Sequence, residues 1–403
     1  MKRIVLILTG LLIFVNVNAQ TDRPISTGVP FLLIAADARA AGMGDNGVAT
    51  SPDAFSQQYN PAKYAFSLKK QGFSVSYTPY LTALVNDISL GQLTYFNRFN
   101  ERSAFATSLR YFGLGEIQLT DESANLLNTV SPNEFAIDLS YSLQLSEKFS
   151  MGIAARYIRS NLRIPTVTND ASSANSFAID VAGFYQSPEI AFNDFNGRWR
   201  AGFNFQNMGP KLSYDATVSD IDKTANFLPA NMRIGGGFDF ILDDYNKIGV
   251  NLEFSKLLVP TPQEPGLPVD VNGDGDFTDS EDITLSERIA ENNTAYRSQG
   301  WTSGIFKSFN DAPDGFSEEL KEFTYAIGAE YWYQDAFAMR LGYFHESEQK
   351  GKRKYFTLGA GFKYNVVGLD VSYLFSTSKV PNPLENTLRF SLTFNFGDDY
   401  DEY

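Results

Sequence analysis

The sequence has no cysteine, one histidine and a shortage of basic residues. Its 403 residues include 33 Lys and Arg against 47 Asp and Glu, which gives a formal net charge of -14. Without cysteine no disulfide can form, and a zinc site of the usual His and Cys type is excluded. An acidic chain also lacks the basic surface that binds phosphates, so we expect no nucleic acid partner.

Long apolar runs are also missing after the first 19 residues. Those residues begin with Lys2 and Arg3, continue with an apolar core from Ile4 to Val15, and end in Ala19. A basic start, a short apolar core and a small residue at the end are typical of a secretory signal peptide. We therefore expect residues 1–19 to be removed and the mature protein to leave the cytoplasm.

Aromatic residues and glycine are plentiful, with 34 Phe, 21 Tyr and 31 Gly. A membrane helix needs about 20 consecutive apolar residues, and no such run follows the signal peptide. The strands of a transmembrane β-barrel need only alternating hydrophobicity. An exported, aromatic-rich chain without long apolar runs therefore indicates a membrane barrel.

The last predicted strand shows this alternation most clearly. Its apolar residues are Leu388, Phe390, Leu392, Phe394 and Phe396, and its polar residues are Arg389, Ser391, Thr393 and Asn395. Successive side chains of a strand point to opposite faces, so one face meets lipid and the other faces the interior. The same pattern predicts strands at 72–79, 88–98, 102–113, 133–145, 148–161, 175–186, 197–207, 229–242, 246–259, 321–333, 336–346, 354–364, 366–376 and 386–396.

The predicted fold class is all-β, a transmembrane antiparallel β-barrel of about 14 strands. An even strand number is usual in bacterial barrels of a single chain. We expect an N-terminal hatch over residues 20–70, the barrel over 71–397 and an acidic tail over 398–403. Starting from a periplasmic N-terminus, the short connections fall on the periplasmic side and the long ones outside, including the longest at 260–320, with the exception of the long periplasmic connection at 187–196.

Charged residues of both signs lie on the predicted inward faces. They are Arg110, Asp138, Arg156, Asp180, Arg200, Asp239, Glu253, Glu330, Arg340, Lys363, Asp370 and Arg389. A selective ion pore would favour one sign, whereas mixed signs predict ion pairs that neutralise each other inside the barrel.

Two motifs precede the first strand. One runs from Asp37 through Arg39, Gly42 and Gly44, and the other is Asn60-Pro61-Ala62. Small residues, glycines and a proline turn favour a compact irregular plug inside the barrel. With these motifs the chain resembles the FadL-like outer-membrane barrels and, more narrowly, the outer-membrane barrel of type IX protein secretion systems. The specific motifs lie within residues 28–66, although the resemblance covers nearly the whole mature chain.

The resemblance implies a function in the outer membrane of a Gram-negative bacterium, surrounded by outer-membrane lipid. A member of this secretion family would dock beside a giant translocon barrel, bind the C-terminal signal domains of exported proteins and shuttle these proteins to a surface sortase. FadL-like barrels more broadly transport fatty acids, so a transporter of hydrophobic small molecules is the alternative. The charged inward faces argue against an apolar transport path.

The longest predicted loop contains a calcium-binding pattern. Oxygen donors occur at the spacing of a twelve-residue calcium loop, with Gly275 at the sharp turn and Thr278 at the water-mediated position. The predicted metal ligands are Asp270, Asn272, Asp274, Asp276 and Glu281. The alternative is an acidic, solvated turn, because Pro265 and Pro268 argue against an entering helix.

The same loop combines strong negative charge with apolar residues. Residues 260–322 contain 14 acidic and 4 basic residues. The predicted partner-binding residues are Trp301, Ile305, Phe306, Phe309 and Phe316. Apolar side chains in an outer loop indicate either docking on a partner or packing within the loop itself.

No catalytic constellation is recognisable. His345 is the single histidine, near the outer end of a predicted strand, and no nucleophile or orienting acid accompanies it in the sequence. The many carboxylates occur in ion-pairing contexts. We therefore expect a protein that is not an enzyme.

Overall fold

A computed structural model describes residues 23–82, 84–121, 123–162, 173–214, 225–262, 271, 285–378 and 382–400. Within these ranges fourteen antiparallel strands form one closed barrel, because the last strand pairs with the first and the remaining neighbours pair in turn. This confirms the predicted fold class and strand number. The strands also lie within a few residues of the predicted segments.

The strands are numbered in chain order. The barrel strands are β1 Lys69–Pro79, β2 Ile88–Arg98, β3 Ser103–Leu114, β6 Asn133–Ser146, β7 Phe149–Asn161, β8 Ala174–Gln186, β10 Asn196–Met208, β11 Asn231–Ile241, β12 Asn246–Leu257, β13 Thr324–Tyr333, β14 Phe337–His345, β15 Lys354–Tyr364, β16 Val367–Ser376 and β17 Leu388–Asp399. Two short strands outside the barrel, β4 Ile117–Thr120 and β5 Leu126–Val130, form a hairpin, and β9 Ile190–Ala191 pairs with the start of β10.

Burial alternates along the barrel strands as the sequence pattern requires. In β6, Ile137 and Leu139 are 46% and 60% exposed, whereas Asp138 and Ser140 are 1% and 4% exposed. The exposed apolar face meets lipid and the buried polar face lines the interior. None of the helices in the described ranges is long and apolar enough to span a membrane.

Short helices occur in the N-terminal segment and the longest loop. They are α1 Ala38–Ala41, α2 Ser56–Tyr59, α3 Leu285–Ser298, α4 Trp301–Lys307 and α5 Phe316–Glu319, with 3-10 turns at Pro30–Leu33, Pro61–Phe66 and Leu320–Glu322. The helices α3 to α5 and the β4–β5 hairpin were predicted only as loops. Neither shows the long-range periodicity of the barrel strands, because both lie outside the bilayer.

The N-terminal segment lies inside the barrel. Its backbone contacts inward side chains of opposite walls, since Asn204 of β10 donates to the Tyr59 carbonyl and the Ala38 amide donates to the Ser391 hydroxyl of β17, half-way around the barrel. One segment can reach opposite walls only through the lumen. We call residues 29–66 the hatch.

The course of the hatch corrects the expectation of a periplasmic N-terminus. The Arg23 amide donates to the Gln349 carbonyl, and the Gly28 amide donates to the Phe227 carbonyl, both in outer loops. The hatch then descends to Ala62, whose carbonyl accepts from Ser150 near the periplasmic start of β7. The described chain thus enters the lumen from the outer mouth, and only β1 begins at the periplasmic side.

Candidate functional site: the sealed lumen and the outer cap

The first hatch motif forms a helix that is anchored in a buried ion network. Asp37 caps α1, because its carboxylate accepts from the Ala40 amide at 2.8 Å. Arg39 lies 2.7 Å from both the Asp53 and the Glu330 carboxylates. Since Glu330 belongs to β13, this ion pair fixes the hatch to the barrel wall.

The Glu330 carboxylate is shared between two arginines. Arg340 of β14 contacts Glu330 at 2.5 Å and Asp370 at 2.7 Å, so the network spans the hatch and β13, β14 and β16. Arg39, Glu330 and Arg340 are all buried. Removing one member of such a network leaves an uncompensated charge, which is far costlier than losing a surface pair.

Further ion pairs line the wall around the hatch. Arg389 lies 3.3 Å from the hatch residue Asp45. The pairs within the wall are Arg156 with Asp138 and Asp180, Arg200 with Asp239, and Arg233 with Glu253. These pairs match the prediction from mixed inward charges, and they give the lumen a polar lining.

Glycines allow the hatch backbone to lie directly against the wall. Gly44 has a φ of 74°, which favours glycine, and its amide donates to Thr357 at 2.9 Å. A Cβ on Gly342 of β14 would lie 2.1 Å from the Gly44 nitrogen. Gly42 is similarly close, since its Cβ would lie 3.1 Å from the Cα of Gly359 in β15. The glycines of the motif therefore serve close packing of hatch and barrel.

The second hatch motif ends the descent of the hatch. Asn60 donates to the Val48 carbonyl and to the Gly183 carbonyl of β8, both at 2.9 Å, and its side-chain oxygen accepts from the Ala62 amide at 3.1 Å. Pro61 occupies the first position of the 3-10 turn. Ala62 is fully buried against β7. The motif therefore has a structural role, because it holds the end of the hatch against β7 and β8.

A second ion network closes the outer mouth. We call residues 301–322 the outer cap. Lys350, from the loop after β14, lies 2.6 Å from Glu318 and 2.8 Å from Glu322 of the cap. Lys256 of β12 pairs with Glu322 and, at 3.1 Å, with Glu319. Although burial raises the pKa of Glu318, the hydrogen bond and charge of Lys350 outweigh it and lower the pKa overall.

Arg23 connects this network to the start of the described chain. Its guanidinium lies 2.8 Å from Asp314 and 3.5 Å from Glu318 of the cap. The cap is therefore bound on three sides, by the N-terminal segment, by β12 and by the loop after β14. The sequence did not single out these charges, because lysines and glutamates in an outer loop are usually solvated.

A small cavity remains beneath the cap. It encloses about 90 Å³ and is lined by Ile25, Leu33 and Phe344 together with charged residues such as Arg233 and Lys256. Pockets for small organic ligands usually measure roughly 300–1,000 Å³ and are mostly apolar. The cavity is too small for a fatty acid.

The predicted partner-binding residues all lie in the cap, in different environments. Phe306 and Phe316 are 80% and 75% exposed, and Phe309 is also exposed. Trp301 and Ile305 are partly buried. The cap thus packs through one side and presents a second, aromatic side to the outside.

The predicted calcium ligands lie outside the described residues. Val271 is the one described residue of that motif, and it is exposed. Among the residues that the structure does describe, no group of three or more His, Cys, Asp or Glu is arranged to hold a metal ion. Calcium binding stays a prediction.

His345 ends β14 at the outer rim. Its ring stacks on Tyr325 with 4.6 Å between the centroids, and its Nδ1 lies 3.2 Å from the Tyr343 hydroxyl. These neighbours are aromatic side chains on the lipid-facing wall, where aromatic residues commonly mark the membrane interface.

Three solved structures with similar barrels cover nearly the same length. They are a Pseudomonas aeruginosa FadL homologue (11% identity, 94% of this chain and 100% of that chain, TM-score 0.41), the CymD monoaromatic hydrocarbon channel (13%, 92% and 99%, 0.49) and the Pseudomonas putida toluene transporter TodX (11%, 93% and 99%, 0.46). None of these similarities carries a functional argument. No curated protein matches the chain.

A family model gives the stronger result. The model described as type IX secretion system protein PorV matches residues 17–264, which is more than half of the chain. The match includes the whole hatch and the strands from β1 to β12. The protein is a multi-pass β-barrel of the outer membrane, and it belongs to the PorV family of type IX secretion system proteins.

Proposed function

We propose that this barrel works by binding other proteins at its outer surface and that it carries out no catalysis. In this proposal it docks against the giant translocon barrel and binds the C-terminal signal domains of exported proteins. It then shuttles these proteins to the surface sortase. Membership of the PorV family supports a role in type IX secretion, and the finer steps are what the resemblance to this family implies.

The main structural support for this proposal is that the base of the cap is fixed to the barrel while aromatic residues of the cap are exposed. Buried ion pairs of Lys256 and Lys350 hold its base. Phe306 and Phe316 are exposed on its other side. Exposed aromatic residues on a rigid support lose little conformational entropy on binding, and they are frequent hot spots of protein interfaces.

Site-specific crosslinking tests this proposal. Because the chain has no cysteine, a single Lys307→Cys substitution places a unique reactive group beside Phe306. Crosslinks to a purified C-terminal signal domain are expected, and a Phe306→Ser/Phe316→Ser double variant should reduce them about tenfold or more. Leu84→Ser is the matched control, since Leu84 is 76% exposed in another outer loop.

Two results would contradict this role. Equal crosslinking in the double variant and the control would show that Phe306 and Phe316 of the cap do not contribute to binding of the signal domain. Absence of crosslinks from the Lys307→Cys protein with Phe306 and Phe316 intact, although this protein supports secretion in cells, would place signal-domain binding elsewhere.

The alternative, transport of fatty acids or other hydrophobic small molecules, requires an apolar path. The hatch fills the lumen of the described barrel with ion pairs and close backbone contacts, and the cavity at the mouth is small. These observations favour the secretion role. Stoichiometric binding of a long-chain fatty acid to the purified barrel would instead support transport.

A further inference from the structure

The β4–β5 hairpin stands apart from the barrel in the loop between β3 and β6. Among the described residues, β4 and β5 pair only with each other. Each strand therefore has one edge whose backbone groups have no strand partner within the described ranges. An isolated two-stranded hairpin is only marginally stable in water, so a third strand would stabilise it.

The hairpin is nevertheless held in shape at both ends. At its base, the Leu114 amide donates to the Pro132 carbonyl, and the Glu116 amide donates to the Asp87 carboxylate. At its tip, the Asp121 carboxylate accepts from the Ser123 amide at 2.8 Å and from the Asn125 amide at 2.8 Å. These contacts fix the ends and leave the edges of the hairpin accessible.

The hairpin carries exposed apolar residues. Leu126 and Leu127 are 60% and 56% exposed, and Ile117 is also exposed. The pairing with β4 shifts register here, since Leu119 pairs with Asn128 and Thr120 with Leu126, so Leu127 is the extra residue of a bulge. Both leucines are exposed, so this apolar surface is not packed on the barrel.

Natural proteins usually protect an open strand edge with lysine, with proline or by covering it. Here the stretch from 111 to 147 contains no Lys or Arg. Among the described residues, the exposed acidic side chains beside the hairpin include Glu116 and Asp121, and hydrogen bonds from Asn125 lower the pKa of Asp121. The edge is thus unprotected by lysine, and its surroundings are negative.

We propose that the β4–β5 hairpin binds an extended, basic segment of a partner protein by strand addition. Backbone hydrogen bonds along an open edge would bind the segment. Its apolar side chains would contact Leu126 or Leu127, and its Lys or Arg residues would lie near Glu116 and Asp121. Strand addition is a known mode of peptide recognition in which the backbone supplies affinity and alternate side chains supply specificity. This site lies on a different outer loop from the cap, so it does not depend on the cap as an interface.

Peptide binding to the full-length barrel in detergent tests the proposal. The probe is a fluorescent peptide of alternating Thr and Val with Lys at both ends, measured by anisotropy. Its two controls are the same peptide with alternate amides N-methylated, which removes donors from one edge, and the same peptide with Glu in place of Lys. We expect both controls to bind about tenfold more weakly or worse.

Two variants assign the binding to the hairpin. Leu127→Lys introduces the missing edge protection and should weaken the probe about tenfold. Asn128→Pro removes a backbone donor in β5 and should have an effect at least as large. Leu84→Lys, with the same change at an exposed leucine of the neighbouring outer loop, should leave binding unchanged.

Three outcomes would overturn the proposal. They are equal binding of the N-methylated peptide, unchanged binding to both hairpin variants, and slow amide exchange throughout β4 and β5 before any peptide is added. The last result would mean that the edges are already occupied. Each can occur whether or not the cap binds a signal domain, so the two proposals fail independently.

Discussion

The hatch and the outer cap are both held by buried ion pairs, but these pairs have different roles in the two regions. In the hatch, Arg39 and its partner Glu330 lie in an interior where nearly every neighbouring residue is also buried. Glu318 of the cap and its partner Lys350 are buried equally well, but other residues of the cap, among them Phe306 and Phe316, are exposed. The contacts of the hatch therefore close the lumen. The buried pairs of the cap fix it to the barrel, and its exposed aromatic residues are left free to contact a partner protein.

The largest expected effect comes from breaking the hatch network at its centre. Glu330→Ala leaves Arg39 and Arg340 without their shared carboxylate, and such a loss costs about 3–5 kcal/mol. Denaturant unfolding of the barrel in detergent should show this. Lys247→Ala is the control, because the pair of Lys247 with Asp335 is exposed and worth about 1 kcal/mol or less. If both variants lose the same free energy of unfolding, the buried network contributes no more to stability than an exposed ion pair.

The contact between hatch and wall is the next most sensitive feature. Gly342→Ala places a Cβ about where the Gly44 nitrogen lies, so the hatch must shift, at a cost of about 1–3 kcal/mol. Gly236→Ala is the matched control in another barrel strand, since its Cβ would have no neighbour closer than 3.7 Å. Similar unfolding midpoints of the two variants would contradict the close contact between the hatch backbone and β14.

The barrel could be predicted from the sequence because the bilayer imposes a simple rule on each strand. Residues such as Phe390 and Arg389 must alternate between lipid and interior, and this holds whatever the neighbouring strands are. The short periplasmic turns gave further support. Two of them use left-handed residues, Gln334 with Asp335 in one turn and Asn365 in another.

The outer mouth could not be predicted in the same way. The ion pair of Arg23 with Asp314 joins residues 291 positions apart, and nothing local marks either partner. The glycines of the wall offered a signal that sequence reasoning did not use. Gly342 and Gly359 occupy inward positions where a side chain is otherwise expected, and the hatch backbone fills that space.

The predicted calcium loop would add a further difference between the hatch and the outer loops, because a bound ion would stabilise the loop that precedes the cap. With millimolar calcium, a site of the affinity common in extracellular proteins would stabilise this segment by about 1 kcal/mol. Glu281→Ala removes the bidentate ligand and should abolish the difference between calcium and a chelator in limited proteolysis. Glu264→Ala, outside the ligand set, is the control. Identical digestion with calcium and chelator in the unmodified protein would rule out the site.

The smallest expected effect concerns the pH dependence of the cap. Asp311 lies beside the cap network, its carboxylate accepts from the Thr261 amide, and burial raises its pKa to about 6 from the ordinary value of 3.8. The folded cap therefore binds this proton more tightly than the unfolded segment. Its stability should rise as the pH falls from 7 towards 5.

Amide exchange of cap peptides, corrected for the intrinsic pH dependence, measures this rise. Asp311→Asn should remove it, because the amide keeps a similar shape but does not titrate. Glu318 acts in the opposite direction and at lower pH, since its pKa is below the ordinary 4.5. The hatch is not a pH-insensitive reference, because burial also raises the pKa of its Asp37 to about 6. The comparison is therefore between the unmodified protein and Asp311→Asn, and an equal rise in both would contradict the assignment to Asp311.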